Sequence, residues 1–146
     1  MDFLLNFIII ALFIFPFIAF IHEAGHAFFI KVFGGEINEF AIGSGDVLWG
    51  KNAFRINKAY FAGGRVITVT DDLFSKNQKV FIILGGVLFN LFSALALDLY
   101  TGYSFFVFRN YLDSFVFVSY INVFINLLPF TTINGKSDGK KLAELF

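Results

Sequence analysis

Three long apolar runs separated by one mixed stretch dominate the pattern of this chain. Phe3 to Ile21 carries no charge, and its only strongly polar residue is Asn6. At 1.5 Å per residue, nineteen such residues span roughly 28 Å, about one hydrocarbon thickness. The run predicts a transmembrane helix, distorted near Pro16, that continues through a polar motif to about Phe33. A cleavable signal peptide would need a basic start, a shorter apolar core and a small-residue cleavage site. Here the start is Asp2, and no such site follows. A second run, Val80 to Leu97, ends at Asp98. A short Tyr100–Ser104 connection leads to a third, about Phe105 to Phe130, with Arg109 and Asp113 at i, i+4 near its start.

Between the first two runs the period changes. Apolar and polar side chains alternate in Phe54-Arg55-Ile56-Asn57 and again from Arg65 to Thr70, the mark of short β-strands. Gly34-Gly35, Gly43-Ser44-Gly45 and Gly63-Gly64 read as turns or points of close approach. The expected fold is therefore a mainly α membrane protein. It has three transmembrane helices (about 3–33, 80–98 and 105–130) and a membrane-associated β-rich segment at about 36–72 between the first and second. All of residues 1–146 form one domain.

Composition agrees. Of 146 residues, 58% are hydrophobic and only 15% charged, where a soluble domain carries about a quarter charged residues. Lipid is the expected solvent. The formal net charge is zero, which gives no electrostatic case for nucleic acid. Seven of the eleven Lys and Arg residues lie between the first two runs and three follow the third, so the N-terminus is expected outside and the C-terminus in the cytoplasm. The Phe-, Ile- and Asn-rich wording points to a prokaryotic cell membrane.

Cysteine is absent and there are two histidines, which leaves His, Asp and Glu as the available metal ligands. Both histidines fall in His22-Glu23-Ala24-Gly25-His26. At i and i+4 they share one helix face and can reach a single zinc ion, while Glu23 on the adjacent face can act on a water there. A pair of hydrogen-bonding interhelical histidines is the blander alternative, but ionisable residues within a span are costly and usually functional. A third ligand must be Asp or Glu. Asp138 follows the third run on the same side as the histidines, whereas Asp98 and Asp113 lie toward the other side. Asp71, Asp72, Glu36 and Glu39 share the correct side but sit in the β-rich segment. Asn90, Asn122 and Asn126 are polar groups within spans.

The sequence resembles the site-2 protease family of intramembrane zinc metalloproteases, in a minimal form without an accessory PDZ domain. His22-Glu23-Ala24-Gly25-His26 fits its zinc helix. Phe40 to Gly45 and Ala62 to Val66 are similar to its glycine-punctuated β region. Gly85-Gly86-Val87-Leu88-Phe89-Asn90 resembles its Gly-x-x-x-Asn helix, and Asn126-Leu127-Leu128-Pro129 followed by Asp138-Gly139 resembles its Asn-x-x-Pro…Asp-Gly motif. The resemblance implies Zn²⁺, one per chain, on His22, His26 and Asp138, with Glu23 catalytic. It implies substrate contacts from Asn90 and Asn126, and Gly63 and Gly64 would admit a substrate strand. The implied partner is a membrane-spanning protein or peptide cut near the cytoplasmic face, as in regulated intramembrane proteolysis. Pro129 and Asp138 are nine positions apart, longer than the family's usual interval. The polar Thr131–Ser137 stretch with Asn134-Gly135 is expected to loop out the excess. A zinc transporter would spread ligands along a path through the membrane, and an inactive scaffold of the same fold is the other alternative.

Overall fold

A computed structural model describes residues 2–101, 111–132 and 135–146. The first apolar run is one continuous rod: α1 (Asp2–Ile9), a π-helical turn (Ile10–Ile14) and α2 (Phe15–Val32). Pro16 has no N–H to give, and its ring crowds the carbonyl four residues back. The widened turn falls on that stretch. The rod stops where Gly34 takes φ +81° and the Gly35 amide donates to the Ile30 carbonyl at 2.8 Å.

The mixed stretch forms two strands, β1 (Ile37–Lys51) and β2 (Phe54–Thr68). Short strands were expected; each is 15 residues long. Asn52, at φ 55°, and Ala53 make the tight turn between them. Both strands bend, so the ribbon folds back on itself. Phe40, Ala41 and Ile42 lie beside Val66, Arg65 and Gly64 on one side and beside Phe54, Arg55 and Ile56 on the other. Glu39 fastens that fold, meeting Arg65 at 2.6 Å and Arg55 at 3.4 Å. Gly43-Ser44-Gly45 is thus a bend inside β1 and not its end; Gly43 and Gly45 both have positive φ. The ribbon rests on α2 through Phe20, whose ring packs 5.6 Å from Phe40 and 6.5 Å from Phe54.

Helix α3 (Lys76–Thr101) starts four residues earlier than the apolar run. Ser75 and Gln78 form a reciprocal cap: the Ser75 amide donates to Gln78 Oε1 at 2.8 Å and the Gln78 amide to Ser75 Oγ at 3.4 Å. The first rod (Phe3–Val32) and α3 are each long and apolar enough to cross a membrane. Helix α4 (Tyr111–Leu127) is 17 residues and apolar. The start of the expected third span, with Arg109, lies outside the described residues. A two-residue hairpin pair, β3 (Thr131–Thr132) and β4 (Gly135–Lys136), leads to α5 (Asp138–Leu145).

The interior is inverted relative to a water-soluble protein. Phe13, Phe17, Phe92, Phe117 and Phe124 point outward, while His22, Glu23, His26, Asn90 and Asp138 are buried. That arrangement suits a lipid surround, which solvates rings and not charges. Ile14, Ile18 and Phe115 form a small apolar core between the rod and α4. Deeper toward the polar cluster, α2 and α3 cross at Gly25 and Gly85. A Cβ on Gly25 would strike the Gly85 carbonyl, and one on Gly85 would come 2.5 Å from the Gly25 carbonyl oxygen. Only glycine at both positions lets the backbones meet.

Candidate active site

Helical spacing on α2 puts both imidazoles on the face turned to α3. Their Nε2 atoms are 3.1 Å apart and both rings are buried. Asp138 reaches them from the other end of the sequence. Its Oδ2 lies 3.0 Å from His22 Nε2 and 3.4 Å from His26 Nε2.

The long Pro129–Asp138 interval does not prevent this, because the extra residues are set aside as the β3–β4 hairpin. The Ser137 amide donates to the Phe130 carbonyl at 3.0 Å, closing the hairpin at its base. Ser137 Oγ donates to the Leu128 carbonyl at 2.6 Å and accepts from the Phe130 amide at 3.1 Å and the Lys140 amide at 3.2 Å. One donated and two accepted bonds exhaust a hydroxyl. The same residue therefore caps α5 and pins it to the end of α4, with Asp138 as the first helical residue. Gly139 completes the junction, since any Cβ there would collide with the Leu127 carbonyl. A polar loop was expected in this stretch; a hairpin is found, with Asn134 outside the described residues.

The three donors fit a zinc ion on grounds of shape and of unsatisfied chemistry. Ligands at about 2.0–2.1 Å around a tetrahedral ion stand roughly 3.3 Å apart. The observed separations are 3.0, 3.1 and 3.4 Å. Asp138 Oδ2 is buried and makes no hydrogen bond despite its nearness to both nitrogens. Its other oxygen, Oδ1, takes Lys141 Nζ at 3.1 Å. Burial works to raise the Asp138 carboxyl, but the two imidazoles beside it outweigh that and hold it below the usual carboxylate range. His26 Nδ1 contacts the Ile82 carbonyl at 2.7 Å, which fixes the hydrogen on Nδ1 and leaves the Nε2 lone pair toward the cluster. Gly86 forms the wall. A Cβ there would sit 2.6 Å from His22 Nε2 and 2.6 Å from His26 Nε2. Among the described residues, no other group of three His, Asp or Glu side chains is so placed.

Glu23 is buried next to the cluster and packs against the ribbon. A Cβ on Gly64 would meet Glu23 Cγ at 2.6 Å and Cδ at 3.2 Å. Gly64 is thus a point of close approach, and its neighbour Gly63 takes φ +80° with open space beside it. Asn90 Nδ2 lies 3.4 Å from His22 Nδ1, and Asn126 connects to it through Asn122. Three of the other acids considered are engaged elsewhere: Asp98 with Tyr120, Asp71 with Lys79, and Glu39 with the two arginines.

Comparison with known proteins agrees with this constellation. The model of Peptidase family M50, the site-2 protease family, matches residues 8–107. The chain belongs to that family. An uncharacterized membrane protein, YwmF, of Bacillus subtilis (strain 168) is 29% identical over 126 residues, covering 86% of this chain and 79% of the relative. Membership places the chain in a family of zinc metalloproteases, and the relative supports a membrane location. The matched segment holds His22, Glu23, His26 and Asn90; Asn126 and Asp138 lie beyond it.

Four residues around this M50 cluster were not singled out for a role in it by sequence reasoning. Gly86 was legible in principle, since Gly86 and Asn90 repeat on α3 the i, i+4 spacing of His22 and His26 on α2. Asn122 stood out only as a polar group within a span, and Ser137 and Lys141 carried no local signal. Their roles come from the fold of the α4–α5 junction and from an interhelical hydrogen-bond chain.

Proposed function

We propose that this member of family M50 is an intramembrane zinc endopeptidase that hydrolyses peptide bonds of membrane-spanning substrates near the cytoplasmic face. One observation carries the reading: two imidazole nitrogens and an orphaned carboxylate oxygen from opposite ends of the sequence converge in a buried site walled by a glycine. The proposed topology is three spans in one unit, with the N-terminus outside and the C-terminus cytoplasmic.

In this reading His22, His26 and Asp138 hold the metal. Zinc supplies a Lewis acid that polarises the scissile carbonyl and lowers the pKa of water to about 7. Glu23 accepts the proton of the attacking water as its oxygen bonds to the carbonyl carbon. It then delivers that proton to the nitrogen as the C–N bond breaks, giving an amine and a carboxylic acid that ionises on release. Burial of Glu23 excludes bulk water from the transfer. A helical substrate hides its peptide bonds, so the scissile segment must be extended. Gly64 lets β2 pack directly on Glu23, Gly63 leaves open space at the next position, and residues 64–68 offer backbone for pairing. Asn126 is assigned to the same substrate path.

The test uses the full chain purified in detergent: zinc content of the wild type, His22→Ala, Asp138→Ala and Glu23→Gln, then cleavage of membrane-spanning peptides in liposomes. Zinc should be bound by the wild type and Glu23→Gln, and lost from the other two. Cleavage should be confined to the wild type. Cleavage by Glu23→Gln at the wild-type rate would refute the base, and zinc retained in Asp138→Ala would move the third ligand elsewhere.

A further inference from the structure

The two imidazoles of the cluster are supported differently. His26 Nδ1 faces the Ile82 carbonyl at 2.7 Å. A carbonyl only accepts, so the tautomer of His26 is settled in favour of a free Nε2 lone pair. In the corresponding place His22 has an amide. Asn90 Nδ2 lies 3.4 Å from His22 Nδ1 and donates to Asn122 Oδ1 at 3.0 Å. Asn90 is fully buried, and its Oδ1 has no hydrogen-bond partner. An amide in that state has its acceptor idle and its donors doing all the bonding.

We infer that Asn90 is the positioning residue that sets the tautomer of His22, by presenting its side-chain oxygen to Nδ1–H when a metal is held. The inference rests on the metal reading above. Ligation through Nε2, the atom that faces Asp138, requires the hydrogen on Nδ1, and a buried N–H requires an acceptor. Among the described residues the group at hydrogen-bond distance from His22 Nδ1 is the Asn90 amide. A half-turn of that amide exchanges nitrogen for oxygen with no change in shape. It gives Nδ1–H its acceptor and ends the idleness of Oδ1.

Asn122 opposes the turn. Its Oδ1 accepts from Asn90 and also from Asn126 at 2.9 Å, and Asn126 is further held by the Asn122 backbone carbonyl at 3.0 Å. Two amide orientations therefore compete, one joined to Asn122 and the other serving His22. The role is distinct from substrate contact, because it predicts an effect on metal affinity with no substrate present.

The experiment measures zinc Kd by competition with a chromogenic chelator on the detergent-purified full chain. Metal-free thermal melts report folding. Asn90→Leu should weaken zinc by about 10–100-fold. Asn90→Asp keeps the shape and offers an oxygen in either orientation, so its Kd should stay within about threefold of wild type or be tighter. Asn122→Ala removes the competing acceptor and should leave zinc binding unchanged or tighter. Wild-type affinity in Asn90→Leu would overturn the inference. So would weakening in Asn90→Asp, with an intact melt, as large as in Asn90→Leu, or the same loss in Asn122→Ala. If Asn90→Leu does not fold, the Asp variant decides alone, and a loss of about tenfold or more with an intact melt overturns the inference. A folded wild type that binds no zinc would remove the metal reading itself, whereas zinc binding indifferent to Asn90 would remove only this inference.

Discussion

Replacing Gly86 with alanine tests the site with a single methyl group. Its Cβ would stand 2.6 Å from His22 Cε1, His22 Nε2 and His26 Nε2, about 0.8 Å short of the 3.4 Å at which ordinary contact begins. Both rings must withdraw by most of that distance, or α3 must slide away from α2. Moving α3 away would pull apart the close backbone crossing at Gly25 and Gly85 and forfeit its packing. Metal–ligand distances tolerate only about 0.2 Å, so zinc affinity should fall at least about 100-fold. Stability should change much less. Alanine in a helix interior gains up to about 1 kcal/mol over glycine, and overpacking costs about 1–3 kcal/mol. Gly86→Ala should therefore fold and fail to hold metal. Zinc competition and a metal-free thermal melt separate the two effects. Gly50→Ala, whose new Cβ would meet nothing nearer than 3.3 Å, serves as the control. A folded Gly86→Ala with wild-type zinc affinity would refute the geometry of the cluster.

Lys141→Met removes the charge on Asp138 Oδ1 and should weaken zinc about tenfold, whereas Lys141→Arg keeps a donor and should restore it; equal affinities in all three would deny Lys141 a part. Ser137→Ala strips the α5 cap and two junction bonds, worth about 2 kcal/mol together. Its melt should fall by about 4–8 °C with zinc affinity lowered too, and an unchanged melt would show that the junction is held by something else. Gly64→Ala drives a methyl to within 2.6 Å of Glu23 Cγ. It should retain zinc and lose cleavage by about 100-fold; a simultaneous loss of zinc would contradict the separation of Glu23 from the metal ligands.

Much of this protein was already determined by local pattern. Hydrophobic run length marked the first and second long helices, because crossing a bilayer is a constraint on consecutive residues. The pair His22 and His26, and Glu23 between them, followed from the helical repeat alone. The alternation at Phe54–Asn57 and Arg65–Thr70 located parts of β2, but not the 15-residue length of both strands. Gly43-Ser44-Gly45 read only as a turn or a point of close approach, because glycine's positive φ is compatible with both a turn and a bend within a strand.

Tertiary structure decided the rest. Asp138 is 112 residues from His26 in sequence. Its side of the membrane and the Asp-Gly resemblance pointed to it, but neither shows how it reaches the two imidazoles. Its place depends on Ser137 closing the hairpin base and on Gly139 lying against the Leu127 carbonyl. Gly86, Lys141 and the asparagine chain acquire meaning only once α3, α4 and α5 surround α2. A helix face can be read from a repeat of 3.6, but which groups oppose that face is set by packing between elements distant in sequence.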